Sequence, residues 1–421
     1  MRASAFLIIP LLIFILTVDL YTYRGIKPIL NKIRNSFLRK AFKLVYWSVS
    51  ILMFAAFVLF FFTIKHVQKA EAYVYFSYLI GAFALLYIPK FILILFVLLK
   101  DVEKAAIWLF RAIANVKKEN KLETKSKRKM ERSEFLYQMG LILAAIPFAS
   151  ILYGVTRGKY NFRLIHETLN FPNLPESFKG FKIVQISDIH LGSFNKNFEK
   201  IEKAVELINE QKPDIILFTG DLVNNFTEET EGWAPVLSQM KASMGKYSIM
   251  GNHDYGDYSH WPSPEAKAVN LKGIKDFHKE IGFNLLLNET ERLKIDEDEI
   301  ALIGVENWGK PPFPQHGDLD LAMTNTEDLP FKLLMSHDPS HWDEKVLETD
   351  IDLTFAGHTH GMQFGIERAG IKWSPVQYKY PRWGGLYNKG KQFLYVNRGF
   401  GYIGFPGRIG MPPEISVIEL N

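Results

Sequence analysis

Side chains that bind divalent cations recur in five short segments between residues 187 and 361. The segments are SDIHLG (187–192), TGDLVN (219–224), GNHD (251–254), SHDP (336–339) and GHTHG (357–361). One such segment alone would usually be a helix cap or a turn. Five in succession, several with glycines that let the backbone turn sharply, indicate a single assembled metal site.

Two of these segments place ligand-type side chains two residues apart. Asp188 precedes His190 by this spacing, and His358 precedes His360. On extended backbone such side chains share one face, and a bend into a loop lets both reach one cation. The chain has no cysteine, so carboxylate, imidazole and amide ligands suit Mn, Fe or Zn better than copper(I) or an iron–sulfur cluster. The residue types and their spacing therefore predict a metal site with mixed Asp and His ligands, and by themselves they predict nothing more specific.

The elements that must position these side chains are short strands. Eight apolar runs, many of them β-branched, predict buried strands at residues 182–186, 215–219, 247–250, 300–305, 332–335, 353–356, 394–396 and 415–418. Between the first two runs, residues 197–210 place apolar side chains at a helical period. Strand, helix and strand in succession indicate an α/β layered core. In such a sheet the carboxyl ends of the strands meet at one crevice, where ligands distant in sequence converge.

The five segments, in this order, resemble the signature of the calcineurin-like metallophosphoesterase family and cover most of residues 180–361. The resemblance implies a four-layer α/β/β/α sandwich and two divalent metal ions (Mn, Fe or Zn). For one ion it implies the ligands Asp188, His190 and His360. For the other it implies Asn252, His337 and His358, with Asp221 as a bridge between the two.

The resemblance also implies a reaction. A pair of metal ions activates a shared water as hydroxide and holds the phosphoryl oxygens during in-line attack. His253 would face the substrate and give a proton or a hydrogen bond to the leaving oxygen, and Asp254 would orient it. His253 could instead be a turn residue, and Asp254 an ordinary cap. Asp338 and His341 are either partners of the metal ligands or exposed loop residues.

The C-terminal part shows one departure and two open assignments. Residues 397–420 resemble the tail of the membrane-anchored bacterial branch of the family, whose members usually read GHTHGGQ where this chain has Met362 in GHTHGMQ. Loss of that glycine could narrow the pocket or change the choice of substrate. Arg398 and Arg408 could bind a phosphate group, because a guanidinium matches its geometry, or could form structural ion pairs.

The N-terminal part is predicted to cross a membrane. Four stretches of roughly 20 apolar residues qualify as spans, at about 3–21, 44–64, 73–99 and 135–153. We therefore expect a transmembrane region at 1–155, a linker at 156–180 and a metallophosphoesterase domain at 181–421. Residues 102–115 predict a separate interfacial helix. Asp19 and Lys90 either mark a transport path, or Asp19 lies at the membrane interface and Lys90, beside a kink at Pro89, is partnered or snorkels.

The distribution of charge supports this division. Residues 1–155 contain 22 Lys and Arg against 8 Asp and Glu, whereas residues 156–421 contain 28 against 37. The positive charge flanks apolar runs, and the loop between the first two spans has no acidic residue, so we expect this loop in the cytoplasm. Four spans then place the catalytic domain outside the cytoplasm. The acidic C-terminal part disfavours a nucleic-acid partner.

The sequence therefore predicts a multi-pass protein of the cytoplasmic membrane that hydrolyses phosphate esters, as a phosphodiesterase or a phosphatase. A lipid-linked substrate is one candidate, because anchoring confines enzyme and substrate to one surface; a nucleotide or sugar phosphate is another. The alternative is a membrane sensor or transporter whose phosphoesterase module binds a ligand without turnover. Oligomeric state is left open.

Overall fold

The computed structural model describes residues 2–63, 70–113, 132–311, 313–368 and 370–421. The chain divides into two compact units. The first comprises Met1–His66 and Leu79–Leu152, and the second comprises Val67–Tyr78 and Tyr153–Asn421.

Long apolar helices dominate the N-terminal part. They are α1 (Arg2–Asn31), α2 (Ser36–Thr63), α3 (Ala70–Ile113) and α4 (Arg132–Thr156). Among the described residues, four segments are long and apolar enough to cross a membrane, at Ile9–Asn31, Ser36–Thr63, Glu71–Ile113 and Phe135–Tyr160. The prediction of a separate helix at 102–115 was wrong for its described part, because α3 continues unbroken to Ile113. No glycine or proline between residues 90 and 113 interrupts the helix.

A charged pair lies inside the first unit. Asp19 and Lys90 are both buried, and Nζ of Lys90 lies 2.5 Å from Oδ1 of Asp19. The hydroxyl of Tyr87 donates to Oδ2 of Asp19 at 2.9 Å. The structure thus gives Lys90 a partner, which is one of the two roles that the second interpretation allowed, since a buried charge needs a counter-charge.

Two six-stranded sheets form the second unit. The described strands are β1 (Arg163–Leu169), β2 (Phe181–Ile186), β3 (Ile215–Phe218), β4 (Gly245–Ser248), β5 (Asn284–Leu285), β6 (Glu289–Ile295), β7 (Asp298–Gly304), β8 (Lys332–Met335), β9 (Leu353–Ala356), β10 (Ile366–Arg368), β11 (Ile371–Trp373), β12 (Gly385–Lys389), β13 (Gln392–Val396) and β14 (Glu414–Leu420). One sheet has the order β1-β14-β2-β3-β4-β5 and the other β12-β13-β9-β8-β7-β6, while β10 and β11 form a separate hairpin.

Three apolar cores separate four layers. Ile183, Leu217 and Leu333 belong to the core between the two sheets. The first sheet packs its other face against α5 (Phe198–Glu210), α6 (Ala234–Leu237) and α7 (Pro264–Glu280). The second sheet packs against α8 (Leu319–Ala322) and α9 (Ser340–Glu344). The predicted α/β/β/α sandwich is confirmed.

The predicted linker at 156–180 contains a strand, which corrects its boundary. β1 pairs in parallel with β14 from Arg163 opposite Glu414 to Leu169 opposite Leu420. The sheet therefore begins at Arg163 and not near Phe181. β1 is an edge strand with one neighbour, so the apolar signal of a strand buried on both sides is missing from RLIHETL.

Candidate metal centre

The ligand-type side chains follow the carboxyl ends of parallel strands. Asp188 and His190 follow β2, Asp221 follows β3, His337 follows β8, and His358 and His360 follow β9. Because β2 pairs with β3 and β8 with β9 in parallel, their ends open on a shared edge in each sheet. Asn252, in the remaining segment, follows β4, which pairs with β3 in parallel. This arrangement brings all five sequence segments to one place.

The first group of possible metal ligands is Asp188, His190 and His360, all of them buried. Their ligand atoms all lie within 4.8 Å of one another. Nε2 of His190 is 3.1 Å from Nε2 of His360, which in turn is 3.2 Å from Oδ1 of Asp188. Such spacing allows all three atoms to contact one cation.

The second group contains Asp221, His337 and His358, again within 4.8 Å of one another. Nε2 of His337 lies 3.2 Å from Oδ2 of Asp221 and 3.3 Å from Nδ1 of His358. The amide oxygen of Asn252 lies 2.8 Å from the same Nδ1. The structure thus places Asn252 with this group, as the family resemblance implies.

Asp221 connects the two groups through one oxygen. Its Oδ2 lies 3.6 Å from Nε2 of His190 in the first group and 3.2 Å from Nε2 of His337 in the second. A carboxylate oxygen in this position can contact a cation in either group. The geometry fits a bridging ligand.

The ring nitrogens of His337 and His190 that face away from the centre contact backbone carbonyl oxygens. Nδ1 of His337 contacts the carbonyl oxygen of Thr219 at 2.7 Å, and Nδ1 of His190 contacts that of Val223 at 3.1 Å. These contacts leave Nε2 of both rings directed at the centre. Partners of this kind set the tautomer and the orientation of ligand histidines.

Five of the candidate ligands have left-handed backbone conformations. Positive φ angles occur at Asp188 (54°), His190 (51°), Asp221 (60°), His358 (70°) and His360 (52°). A left-handed conformation costs a residue with a side chain roughly 1–2 kcal/mol. Such strain persists where surrounding structure enforces it, and it concentrates at functional sites.

Two glycines allow the loops to approach closely. A Cβ atom at Gly357 would collide with the carboxylate of Asp188, and one at Gly251 would collide with that of Asp221. Any side chain at these positions would displace a candidate ligand.

The protonation states of Asp188, Asp221 and His190 suit metal binding, whereas that of His337 opposes it. Burial opposes the ionisation of Asp188 and Asp221. The interaction of Asp188 with His360, and that of Asp221 with His337, outweighs the effect of burial and holds the pKa of each carboxyl group below its ordinary range. Burial lowers the pKa of His190. For His337, burial acts in the same direction, but the Asp221 carboxylate outweighs it and raises the pKa to about 10. A cation that binds His337 must therefore displace a proton.

His253 lies beside the first group, but Asp254 does not orient it as predicted. Nδ1 of His253 contacts the carbonyl oxygen of Asn224 at 2.8 Å, and its ring lies 5.1 Å from that of His190. The Asp254 carboxylate instead accepts from four backbone N–H groups, those of Gly251, Asp221, Leu222 and Val223. Asp254 follows Gly251 by three positions, where a carboxylate caps its own turn.

Similarity to known proteins decides the family. Residues 1–159 match the family model described as "Probable Calcineurin-like phosphoesterase, transmembrane domain", and residues 181–362 match "Calcineurin-like phosphoesterase". The uncharacterized metallophosphoesterase YkuE of Bacillus subtilis is 32% identical over 305 residues, which cover 70% of this chain and 99% of YkuE. The chain belongs to the calcineurin-like metallophosphoesterase family.

Two further relatives of this metallophosphoesterase are informative. A transmembrane protein with metallophosphoesterase domain from Danio rerio is 30% identical over 291 residues, covering 66% of this chain and 62% of that protein. Phosphodiesterase YaeI of Escherichia coli is 28% identical over 265 residues, covering 62% and 88%. The predicted family is confirmed, and the protein is a membrane-associated phosphoester hydrolase. Its two residue groups fit the divalent metals that the family uses.

The structure also assigns contacts to residues of this metallophosphoesterase whose roles were open. Oδ2 of Asp338 lies 3.6 Å from Nε2 of His358, which makes Asp338 a partner of that candidate ligand. His341 instead contacts Ser336 and stacks on Trp308.

Both arginines of the C-terminal tail have structural contacts. Arg398 pairs with Glu414 and Glu367. Arg408 donates to the carbonyl oxygens of Gly401 and Arg398. Arg398 thus forms the ion pairs of the structural interpretation. Arg408 instead donates to carbonyl oxygens, and its Nη2 lies 3.3 Å from Nδ1 of the candidate ligand His360.

Three residues that support the metallophosphoesterase centre were missed in the sequence. The Tyr380 hydroxyl lies 2.8 Å from Nε2 of His358, and the Asn224 carbonyl oxygen holds His253. Glu229 is buried and accepts four backbone hydrogen bonds. Its position three residues after Phe226 has the spacing of a capping box, which was a usable signal. Tyr380 carried no local signal, because its partner lies 22 positions away.

Proposed function

We propose that the protein hydrolyses phosphate monoesters or diesters at a dinuclear metal centre. Asp188, His190 and His360 would hold one divalent cation, and Asn252, His337 and His358 the other. Asp221 would contact both. The observation that carries the proposal is the position of Oδ2 of Asp221 within 3.6 Å of His190 and 3.2 Å of His337.

The chemistry divides between the cations and the protein. Two bound cations would polarise the phosphoryl oxygens and lower the pKa of an attacking water. Nδ1 of His253 donates to the Asn224 carbonyl oxygen, so Nε2 carries a proton for the leaving oxygen only in the imidazolium form, which we propose as the donor. The strained loops hold the ligand groups in place before substrate arrives, so little reorganisation is required during the reaction.

We further propose that the helices anchor the enzyme in the cytoplasmic membrane with its catalytic unit outside the cytoplasm. The four apolar helices and the basic loop between the first two support this orientation. Anchoring favours a substrate at the same surface, such as a lipid-linked phosphate ester. An alkaline phosphatase fusion at the C-terminus should be active and a green fluorescent protein fusion should be dark; the reverse would contradict the orientation.

The test of activity uses the full chain in detergent micelles with added Mn. We expect turnover of bis-p-nitrophenyl phosphate or p-nitrophenyl phosphate that a chelator removes. Asp221→Asn should abolish turnover, whereas Asp320→Asn, at an exposed position of α8, should leave it unchanged.

Two other outcomes would count against the proposal. Turnover that survives Asp221→Asn would exclude this centre as the site of hydrolysis. A protein that binds Mn through Asp221 but hydrolyses neither ester nor any lipid-linked ester would favour the sensor or transporter alternative.

A further inference from the structure

A cavity of about 260 Å³ in the second unit has no role in the reaction proposed above. Its walls combine prolines and aromatic rings with basic side chains. Among its lining residues are Lys310, Phe313, Asp343, Lys379, Tyr380 and Arg382.

The cavity shares a wall with the candidate metal centre. The ring of Phe313 lies 5.1 Å from the ring of His358 at 89°, and the Tyr380 hydroxyl lies 2.8 Å from Nε2 of His358. Both aromatic side chains therefore face His358 on one side and the cavity on the other. A substrate whose reacting phosphate lies at the centre could place another of its groups here.

Two of the three basic side chains already have acidic partners. Arg382 contacts both oxygens of Asp343 at 3.0 and 2.9 Å, and Lys310 lies 2.5 Å from Glu344. Their charges are largely balanced within the protein.

Lys379 differs from these two. Its Nζ lies 4.8 Å from the ring centroid of Phe313 and 5.3 Å from that of Tyr380. In the part of the chain that the structure describes, no carboxylate lies within 4.0 Å of it. A cation–π contact leaves the three N–H donors of an ammonium free for an anion.

We propose that this cavity is a subsite for a second phosphate group of the substrate, with Lys379 as the residue that binds it. The inference rests on the proposed function, since it places the reacting phosphate at the adjacent centre. A lysine ammonium binds phosphate as a compact point charge. The walls of Phe313, Tyr380 and proline accommodate the organic part of the substrate.

The experiment compares two probes that differ in one phosphate. They are the p-nitrophenyl ester of thymidine 5′-phosphate and the same ester bearing a 3′-phosphate. With the Mn-loaded full chain, kcat/KM should be about tenfold higher for the 3′-phosphorylated probe, the effect of one hydrogen bond to a charged group. Lys379→Gln should remove this preference. Lys391→Gln, at an exposed lysine outside the cavity, should retain it.

Equal kcat/KM values for the two probes in the unsubstituted protein would overturn the subsite. So would a preference that survives in Lys379→Gln. If neither probe is hydrolysed, the proposed function fails for these esters, and calorimetry then decides the subsite separately. Tighter binding of thymidine 3′,5′-bisphosphate than of thymidine 5′-phosphate, lost in Lys379→Gln, supports it, and equal binding contradicts it.

A third comparison tests whether the substrate that carries the second phosphate is lipid-linked or soluble. Farnesyl diphosphate and farnesyl phosphate are tested as inhibitors of the 3′-phosphorylated probe. Stronger inhibition by the diphosphate that depends on Lys379 supports a lipid diphosphate. Stronger inhibition by the thymidine bisphosphate supports a soluble one.

Discussion

Asp254 and Glu229 share the six consecutive backbone N–H groups of residues 221 to 226 between them. The first three donate to Asp254 at 2.8 to 3.2 Å, and the next three donate to Glu229 at 2.7 to 3.0 Å. The same loop carries Asp221. The backbone carbonyl oxygens of Val223 and Asn224, also in this loop, contact His190 and His253. Two buried carboxylates thus fix the position of a candidate bridging ligand and of two histidines.

Replacement of Glu229 by Gln should weaken this loop. Each oxygen of the Glu229 carboxylate accepts two N–H groups. In the glutamine variant an amide NH2 group replaces one oxygen and cannot accept a hydrogen bond, so two of the four N–H groups lose their acceptor. We expect a loss of about 2 kcal/mol in the free energy of unfolding and a fall in kcat of about tenfold. Denaturant unfolding and hydrolysis of p-nitrophenyl phosphate measure the two effects. Glu228→Gln, at the exposed neighbour, is the control, and equal behaviour of the two variants would contradict the role of Glu229.

Tyr380→Phe should reduce metal affinity without unfolding the protein. The hydroxyl orients His358 through Nε2, and loss of such a partner typically lowers affinity 10- to 100-fold. Calorimetric titration with Mn measures the change. Tyr378→Phe is a matched control, because that side chain is 81% exposed. Unchanged Mn affinity in Tyr380→Phe would show that Asp338 alone orients the ring.

His278 should make the catalytic unit less stable in acid. Burial lowers the pKa of this histidine from 6.5 to about 3, and neither ring nitrogen has a partner among the described residues. The unfolded chain therefore binds one proton more than the folded chain between these pH values, so stability falls as the pH decreases below 6.5. Between pH 7 and pH 5 the loss should be about 2 kcal/mol.

His278→Leu tests this dependence. The variant should lose this share of the pH dependence of unfolding, whereas His260→Gln, at an exposed position, should keep it. Thermal unfolding at pH 5, 6 and 7 provides the measurement. An identical pH slope in His278→Leu and the unsubstituted protein would show that the ring is charged in the folded state.

Met362→Gly should stabilise the protein. Met362 has a φ of 54° and a side chain that is 58% exposed, so it bears the cost of a left-handed conformation with little burial in return. We expect the free energy of unfolding to rise by about 1 kcal/mol. Met362→Ala keeps a Cβ and should show no such gain. If both variants behave alike, the backbone at this position is not strained.

The amino-acid sequence determined the candidate ligand residues and most of the secondary structure that positions them. Its motifs specified the five segments that converge at the candidate metal centre, because ligand type and spacing are local properties. All eight predicted strands are present, since each forms from a short apolar run that is buried on both faces. The four apolar helices follow in the same way from length and composition.

Only the tertiary structure decided the features that depend on partners distant in the chain. β1 is a strand because β14, some 250 residues later, provides its hydrogen bonds. Asp254 faces backbone N–H groups 31 to 33 positions away and not the neighbouring His253. Tyr380 meets His358, and Lys379 meets Phe313, through folding alone. Such contacts have no local periodicity, because they arise where loops of separate strands converge in space.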